Sequence, residues 1–273
     1  AVIAGFDWQM GYLSTAALGA AGVVLLVLFM HDSPQSSGFP SINVIRDEPQ
    51  EEVEARGSVF KNQLLALRNP ALWTLALASA FMYIDRYAVN SWGIFFLEQD
   101  KAYSTLEASG IIGVNAIAGI AGMLSDRFFP RNRSVMAGFI SLLNTAGFAL
   151  MLWSPHNYYT DILAMIIFGA TIGALTCFLG GLIAVDISSR KAAGAALGTI
   201  GIASYAGAGL GEFLTGIIID KTAILENGKT LYDFSTLALF WVGTGLGSAL
   251  LCFTTAAIVA RRHAVERQTS FSS

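Results

Sequence analysis

Leu72-Trp-Thr-Leu-Ala-Leu-Ala-Ser-Ala-Phe-Met-Tyr83-Ile-Asp85-Arg86-Tyr87-Ala-Val-Asn90-Ser-Trp92-Gly-Ile-Phe-Phe96 is apolar along nearly its whole length, yet it carries an aspartate and an arginine near its middle. A bilayer-spanning helix needs about 20 such residues, and this stretch has them. Charge inside a span is expensive, so it marks function by default. Tyr83, Arg86, Tyr87 and Asn90 follow i, i+3, i+4, i+7 spacing and share one helix face. That face is polar and aromatic while the rest of the helix is oily, which suits the wall of a water-filled cavity.

Six further apolar stretches surround it: Met10–Met30, Glu107–Leu124, Val135–Trp153, Ile162–Val185, Ala193–Ile219 and Leu237–Ala260. The whole chain of 273 residues is 54% hydrophobic and only 13% charged, about half the charged share of soluble domains. Its mean hydropathy is +0.59. The reading is a polytopic all-α membrane bundle. A net charge of −3 without a basic patch excludes a nucleic-acid partner. Cys177 and Cys252 have no ligand spacing and read as packing residues. His31, His156 and His263 lie outside the spans, near no nucleophile, so no enzyme, metal or cofactor is expected.

The one long connector is His31–Pro70, with an acidic run from Asp47 to Glu54 and a segment, Gly57–Arg68, suited to a short amphipathic helix. It separates one leading helix from a group of six. Its Arg46, Arg56, Lys61 and Arg68 fall on the same side as Arg127, Arg131, Arg133, Arg190 and Lys191, and as Arg261, Arg262 and Arg267 in the tail. The opposite loops hold only Lys101, Lys221 and Lys229. The richer side is expected to be cytoplasmic. Gly122-Met-Leu-Ser-Asp126-Arg127 and Gly216-Ile-Ile-Ile-Asp220-Lys221 repeat one pattern, Gly-x-x-x-Asp-basic, at helix ends of opposite topology. An inverted repeat of three helices plus three predicts that.

Arg86 is the leading candidate for an anion site, because its planar fork matches a pair of phosphate oxygens. The bland alternative, an ion pair with a neighbouring helix, sits poorly with a position too deep to snorkel. Asp85, adjacent on the chain, need not face Arg86. It either pairs with a base on another helix or takes up a proton. Glu212 shares a face with Tyr205 and Gly209, and either lines the cavity, with a proton or cation role, or partners a buried base. Ala203, Gly207 and Gly211 place small residues four apart, which lets helices approach closely. Asp126, Arg127, Arg131 and Arg133 surround a helix end with charge and read as a cytoplasmic gating network or as positive-inside anchoring.

That charged loop, and in particular Ser125-Asp126-Arg127-Phe128 with Asn132-Arg133, resembles the signature of the organophosphate:phosphate antiporters of the major facilitator superfamily. Asp32-Ser33-Pro34-Gln35-Ser36 with Gly38, Tyr83 with Arg86, Asn90 and Trp92, Arg190-Lys191-Ala192-Ala193-Gly194, and Tyr205-Ala206-Gly207 resemble that family's other motifs in the same order. The resemblance implies the C-terminal six-helix half of the major-facilitator fold with one extra N-terminal helix. Residues 1–30 would be the last helix of the N-terminal bundle, 31–70 the cytoplasmic central loop, 71–260 the C-terminal bundle and 261–273 a cytoplasmic tail. The start at Ala1, without Met or signal peptide, reads as a cut edge, with the rest of the N-terminal bundle as the missing partner.

The resemblance further implies a multi-pass protein of a bacterial inner membrane that exchanges an organic phosphate, such as glycerol 3-phosphate or a sugar phosphate, for inorganic phosphate. Arg86 matches the family's phosphate-binding arginine, with Tyr83, Asn90 and Tyr205 orienting substrate and Asp126, Arg127, Arg131 and Arg133 latching the cytoplasmic side. A transporter-like sugar-phosphate sensor, or an inactive partial chain, are the alternatives. Departures from the family pattern are Asp85, Ser91, Asn115 in place of an acid, Ile172-Gly173-Ala174-Leu175, and Glu212.

Cysteines placed one at a time in the His31–Pro70 connector and the Arg261–Ser273 tail are expected to resist impermeant thiol reagents added outside the cell. Labelling of either segment from outside reverses the orientation.

Overall fold

A helix begins where a capping side chain satisfies its free N–H groups, and Asn69-Pro70 is such a start. In the computed structural model, which describes residues 8–31, 34–40, 64, 67–124, 133–188, 192–226 and 229–271, Asn69 accepts from Ala71 N at 3.0 Å and opens the helix that carries Arg86. Asn157 caps the fourth helix of the six in the same way, accepting from Tyr159 N and Thr160 N.

The elements in chain order are α1 (Trp8–Phe29), a short 3₁₀ turn (Pro34–Ser37), α2 (Pro70–Tyr87), α3 (Gly93–Gln99), α4 (Thr105–Leu124), α5 (Arg133–Trp153), α6 (Tyr158–Cys177), α7 (Ile183–Asp186), α8 (Ala193–Thr222), strands β1 (Ala223–Glu226) and β2 (Lys229–Tyr232), and α9 (Ser235–Phe271). Residues Ala1–Glu54 and Ala55–Ser273 form separate compact units. Among the described residues, the first contains α1 with its following turn. Of the expected spans, Arg133–Trp153, Tyr158–Asp186, Ala193–Thr222 and Ser235–Arg262 are long and apolar enough to cross a membrane, and Leu13–Phe29 and Thr105–Ile120 are shorter apolar helices. The Leu72–Phe96 stretch is helical throughout, as α2 and α3 joined by a wide turn.

Two features differ from the sequence expectation. The connector after α8 is an antiparallel hairpin, with Ala223 opposite Tyr232 and Glu226 opposite Lys229. Asn227-Gly228 between two β-prone runs is its sequence signal. Helix α9 also continues past Ala260 through the expected tail to Phe271. Gly57–Arg68 lies almost wholly outside the described residues.

The six-helix unit is two interlocked triplets. The first is α2/α3, α4 and α5; the second is α6/α7, α8 and α9. Helix α2 packs mainly on α8 and α9 of the other triplet, while α6 packs mainly on α4 and α5 of the first. Helix α5 then packs on α9, so exchanging the triplets maps the α2–α8 interface onto α6–α4, α2–α9 onto α6–α5, and α5–α9 onto itself. The leading helix of each triplet is widened at a matching place by a single π turn, Ala88–Trp92 in one and Phe178–Leu182 in the other. The third residue of each turn, Asn90 and Gly180, is exposed. The packing therefore carries the inverted repeat that the Gly-x-x-x-Asp echo suggested, although Ser125–Asn132 lies outside the described residues.

Backbone contact defines both crossed pairs. A methyl group built on Gly207 of α8 would fall 2.6 Å from the carbonyl oxygen of Ala80 on α2, and one on Gly211 would strike Ile84. At the equivalent place, Gly169 and Gly173 of α6 lie against the backbones of Asn115 and Gly119 on α4. Numbering rises together across both pairs, so each is parallel. Polar groups add to this packing: Ser79 bonds Ser204 at 2.7 Å, Thr74 bonds Thr255 at 2.8 Å, and Asn144 donates to Thr171 Oγ1 at 2.9 Å. The apolar core fills the space between, with Trp241, Phe148, Phe168, Phe96 and Phe178 fully buried.

Gly207→Ala is expected to lower stability by about 1–3 kcal/mol, because the new methyl overlaps a backbone that cannot yield. Gly216→Ala, where nothing lies within 4 Å, is expected to be neutral or stabilising by up to about 1 kcal/mol through helix propensity. Thermal unfolding of the detergent-solubilised variants compares the two.

Candidate functional site

Arg86 lies in the last turn of α2, immediately before the π turn, at mid-depth of the α2–α3 run. Its guanidinium carbon sits 5.4 Å from the centre of the Tyr83 ring, a cation–π contact that holds the head group without neutralising it. Tyr83 stacks on Tyr87 at 6.2 Å and meets Tyr205 of α8 edge-on at 5.5 Å. Thus Tyr83, Arg86, Tyr87 and Tyr205 form one aromatic–cationic cluster across the α2–α8 pair. Arg86 is half-buried, and no carboxylate among the described residues lies within ion-pair distance of it.

The π turn inserts one residue into the helix, which rotates everything after it. Asn90 and Ser91 come out exposed, and Asn90 accepts a long bond of 3.4 Å from Asn115 of α4. Trp92 swings toward α8 and donates from Nε1 to Glu212 Oε2 at 2.8 Å. The helical spacing that grouped Asn90 with Tyr83 (i+7) and Arg86 (i+4) is therefore interrupted, and Asn90 meets Asn115 of α4 instead.

Among the described residues, neither Asp85 nor Glu212 has a base within ion-pair distance, the buried pairing that was one expectation for them. Asp85, 1% exposed, points away from Arg86 and accepts from Thr244 Oγ1 of α9 at 2.6 Å. Two charges adjacent on a helix face different neighbours, and here that neighbour is a hydroxyl on α9. Glu212 is held by an indole, with no base within ion-pair distance among the described residues. Of the gating set, Asp126, Arg127 and Arg131 lie outside the described residues. Arg133 Nη1 donates to both oxygens of Asp186, each at 2.9 Å, joining the start of α5 to the end of α7.

A buried ion pair does exist where the sequence reading placed only loops. Lys101, 5% exposed, donates to Asp161 Oδ1 at 2.5 Å, and Asp161 is fully buried. Tyr103 Oη donates to the other oxygen at 2.8 Å, Lys101 also donates to Ser154 Oγ at 3.1 Å, and His156 stacks on Tyr103 at 4.1 Å. Burial raises the Tyr103 phenol far above its usual range, reinforced by the hydrogen bond and negative charge of Asp161. Ala102 is pinned between them at φ 56°, in the left-handed region. The only sequence signal was a Lys and a Tyr flanking one alanine, which does not point to a partner in another loop. This network clamps the α3–α4 loop to the α5–α6 loop and the first turn of α6, and it shares no residue with the Arg86 cluster.

Lys101→Met is expected to lower stability by about 3–5 kcal/mol, because it strands the Asp161 carboxylate in the interior. Adding Asp161→Leu is expected to recover much of that loss. Thermal unfolding of single and double variants decides it.

The profile of the Major Facilitator Superfamily matches residues 1–212. The glycerol-3-phosphate transporter of Bacillus subtilis is 28% identical over 230 residues, 78% of this chain and 51% of that protein. The probable hexose phosphate transport protein of Chlamydia trachomatis is 32% identical over 70% of this chain and 46% of its own length. The membrane sensor protein UhpC of Salmonella typhimurium is 29% identical over 77% and 50%. The chain thus spans about half the length of the curated relatives it matches. In fold it is similar to a bacterial homologue of the human lysosomal transporter Spinster, solved inward-facing and unoccupied, with a TM-score of 0.54 at 18% identity over 92% of this chain and 58% of that one. Interlocked helical triplets, matched π turns and this profile agree: the chain is a multi-pass membrane protein and belongs to the Major Facilitator Superfamily.

Proposed function

We propose that this chain is the C-terminal half of a transporter that exchanges an organic phosphate for inorganic phosphate. The observation that carries the reading is Arg86, a charge at mid-depth on an aromatic, open face with no carboxylate in ion-pair distance among the described residues. A guanidinium kept in an apolar bundle without a counter-ion is costly unless the ion it serves arrives from outside. Phosphate supplies two oxygens in the geometry of its fork. Tyr83, Tyr205 and Asn90 would orient the ester, and a second six-helix bundle would complete the cavity from the other side. Rocking of the two bundles about this site would give alternating access. The names of the relatives, transporters of glycerol 3-phosphate and hexose phosphate, support the same substrate class. UhpC, a membrane sensor of similar identity, supports a second reading in which the same site binds the ester and signals.

Arg86→Lys in the full-length protein is expected to weaken phosphate-ester binding about ten- to a hundredfold with membrane insertion unchanged, since Lys offers a point charge in place of the fork. Competition of inorganic phosphate with ester uptake measures it. Unchanged affinity in the variant removes Arg86 from the anion site. Ester binding without uptake by the parent favours the sensor.

A further inference from the structure

The Trp92–Glu212 pair is half satisfied. Glu212 Oε2 accepts from the Trp92 indole at 2.8 Å, while Oε1 is buried and has no hydrogen-bond partner among the described residues. Native interiors rarely leave such an oxygen unmatched, and each exception calls for an explanation. Gly211, the preceding residue, rests on Ile84, so Glu212 lies within about one helical turn of the depth of Arg86. The α2–α8 pair therefore carries a cation and an anion at similar depth. They do not pair with each other, and among the described residues neither pairs with any other charge.

We propose that this separation reads a zwitterion: Arg86 takes the phosphoryl group, and Glu212 takes a protonated amine elsewhere on the same phosphate ester. The proposal rests on the phosphate reading of Arg86 and adds the class of ester. An ammonium satisfies both the orphan oxygen and the carboxylate charge, because it donates a charge-assisted hydrogen bond. A hydroxyl fills the hydrogen bond but leaves the charge unmatched. An ester without an amine brings only negative charge toward the carboxylate, and like charges at such sites cost specificity as well as affinity. A bound divalent cation fits less well, since calcium takes six to eight oxygen ligands and the described residues hold no group of three acidic, Cys or His side chains able to form a metal site. Trp92 is then a positioning residue. Its indole fixes Oε2 and leaves Oε1 as the free acceptor.

The test is competition binding to the full-length protein in membranes, with inorganic phosphate, glycerol 3-phosphate, phosphoethanolamine and ethanolamine as probes. The expected result is phosphoethanolamine binding about tenfold or more tightly than glycerol 3-phosphate. Ethanolamine alone is expected to compete weakly. Glu212→Gln should erase the preference between the esters, while inorganic phosphate still binds the variant at least as tightly as the parent, because the repelling carboxylate charge is gone. Equal affinity for the two esters in the parent overturns the proposal while leaving the phosphate reading intact, as does a preference that survives in Glu212→Gln. Ethanolamine competing as well as phosphoethanolamine replaces the zwitterion site with a plain cation site. If none of the three phosphate compounds binds the parent, the phosphate reading fails and this proposal fails with it. Should Glu212→Gln not accumulate in membranes, the ester ratio of the parent decides alone.

Discussion

Everything in the six-helix unit depends on two places where helix backbones touch. In hydrocarbon, apolar side chains gain little by leaving lipid for protein, so helices associate through close packing and a few interhelical hydrogen bonds. Gly207 and Gly211 bring α8 onto Ala80 and Ile84 of α2; Gly169 and Gly173 bring α6 onto Asn115 and Gly119 of α4. These contacts set the register of each parallel pair. The register in turn decides which side chains meet. Ser79 finds Ser204, Tyr83 finds Tyr205, and Glu212 comes level with Arg86. Widening the α2–α8 contact would pull the cluster apart before it changed any residue within it.

The same contact explains why the charges are distributed as they are. Helix α2 is covered on one side by α8 and on another by α9, so adjacent residues meet different surroundings. Asp85 faces α9, where Thr244 meets it. Arg86 faces the aromatic side chains beside α8. The π turn that follows exposes Asn90 and turns Trp92 inward, and the equivalent turn in α6 carries Gly180 and Gly181 with open space around them. One triplet carries polar and aromatic side chains in its wide turn, Asn90, Ser91 and Trp92, where the other has only apolar residues and glycine.

Much of this was legible in the sequence. Apolar length located the spans to within a few residues, since the bilayer enforces it. The glycine spacing at 207 and 211 announced close approach, and the Gly-x-x-x-Asp echo announced the repeat. The face of Tyr83, Arg86 and Tyr87 was readable because all three precede the π turn. Beyond it the helical period no longer applied, so Trp92 and Glu212 were not paired in advance. Lys101 and Asp161 were missed for a different reason. Their attraction joins a loop to the first turn of α6, 60 residues further along the chain, and only tertiary packing brings them together. The hairpin had a signal in Asn227-Gly228 that was overshadowed by the surrounding hydrophobicity.

The interlocked packing has a consequence for biosynthesis. Ser79 and Ser204 are 125 residues apart, so α2 emerges well before its closest neighbour exists. At about 5–20 residues per second, the nascent chain waits roughly 6 to 25 s for α8. Through that interval, Asp85 and Arg86 must be sheltered by something other than their final neighbours, because Thr244 and Tyr205 have not been translated either. The insertion machinery, or a provisional helix pairing, has to hold a doubly charged segment until the second triplet arrives.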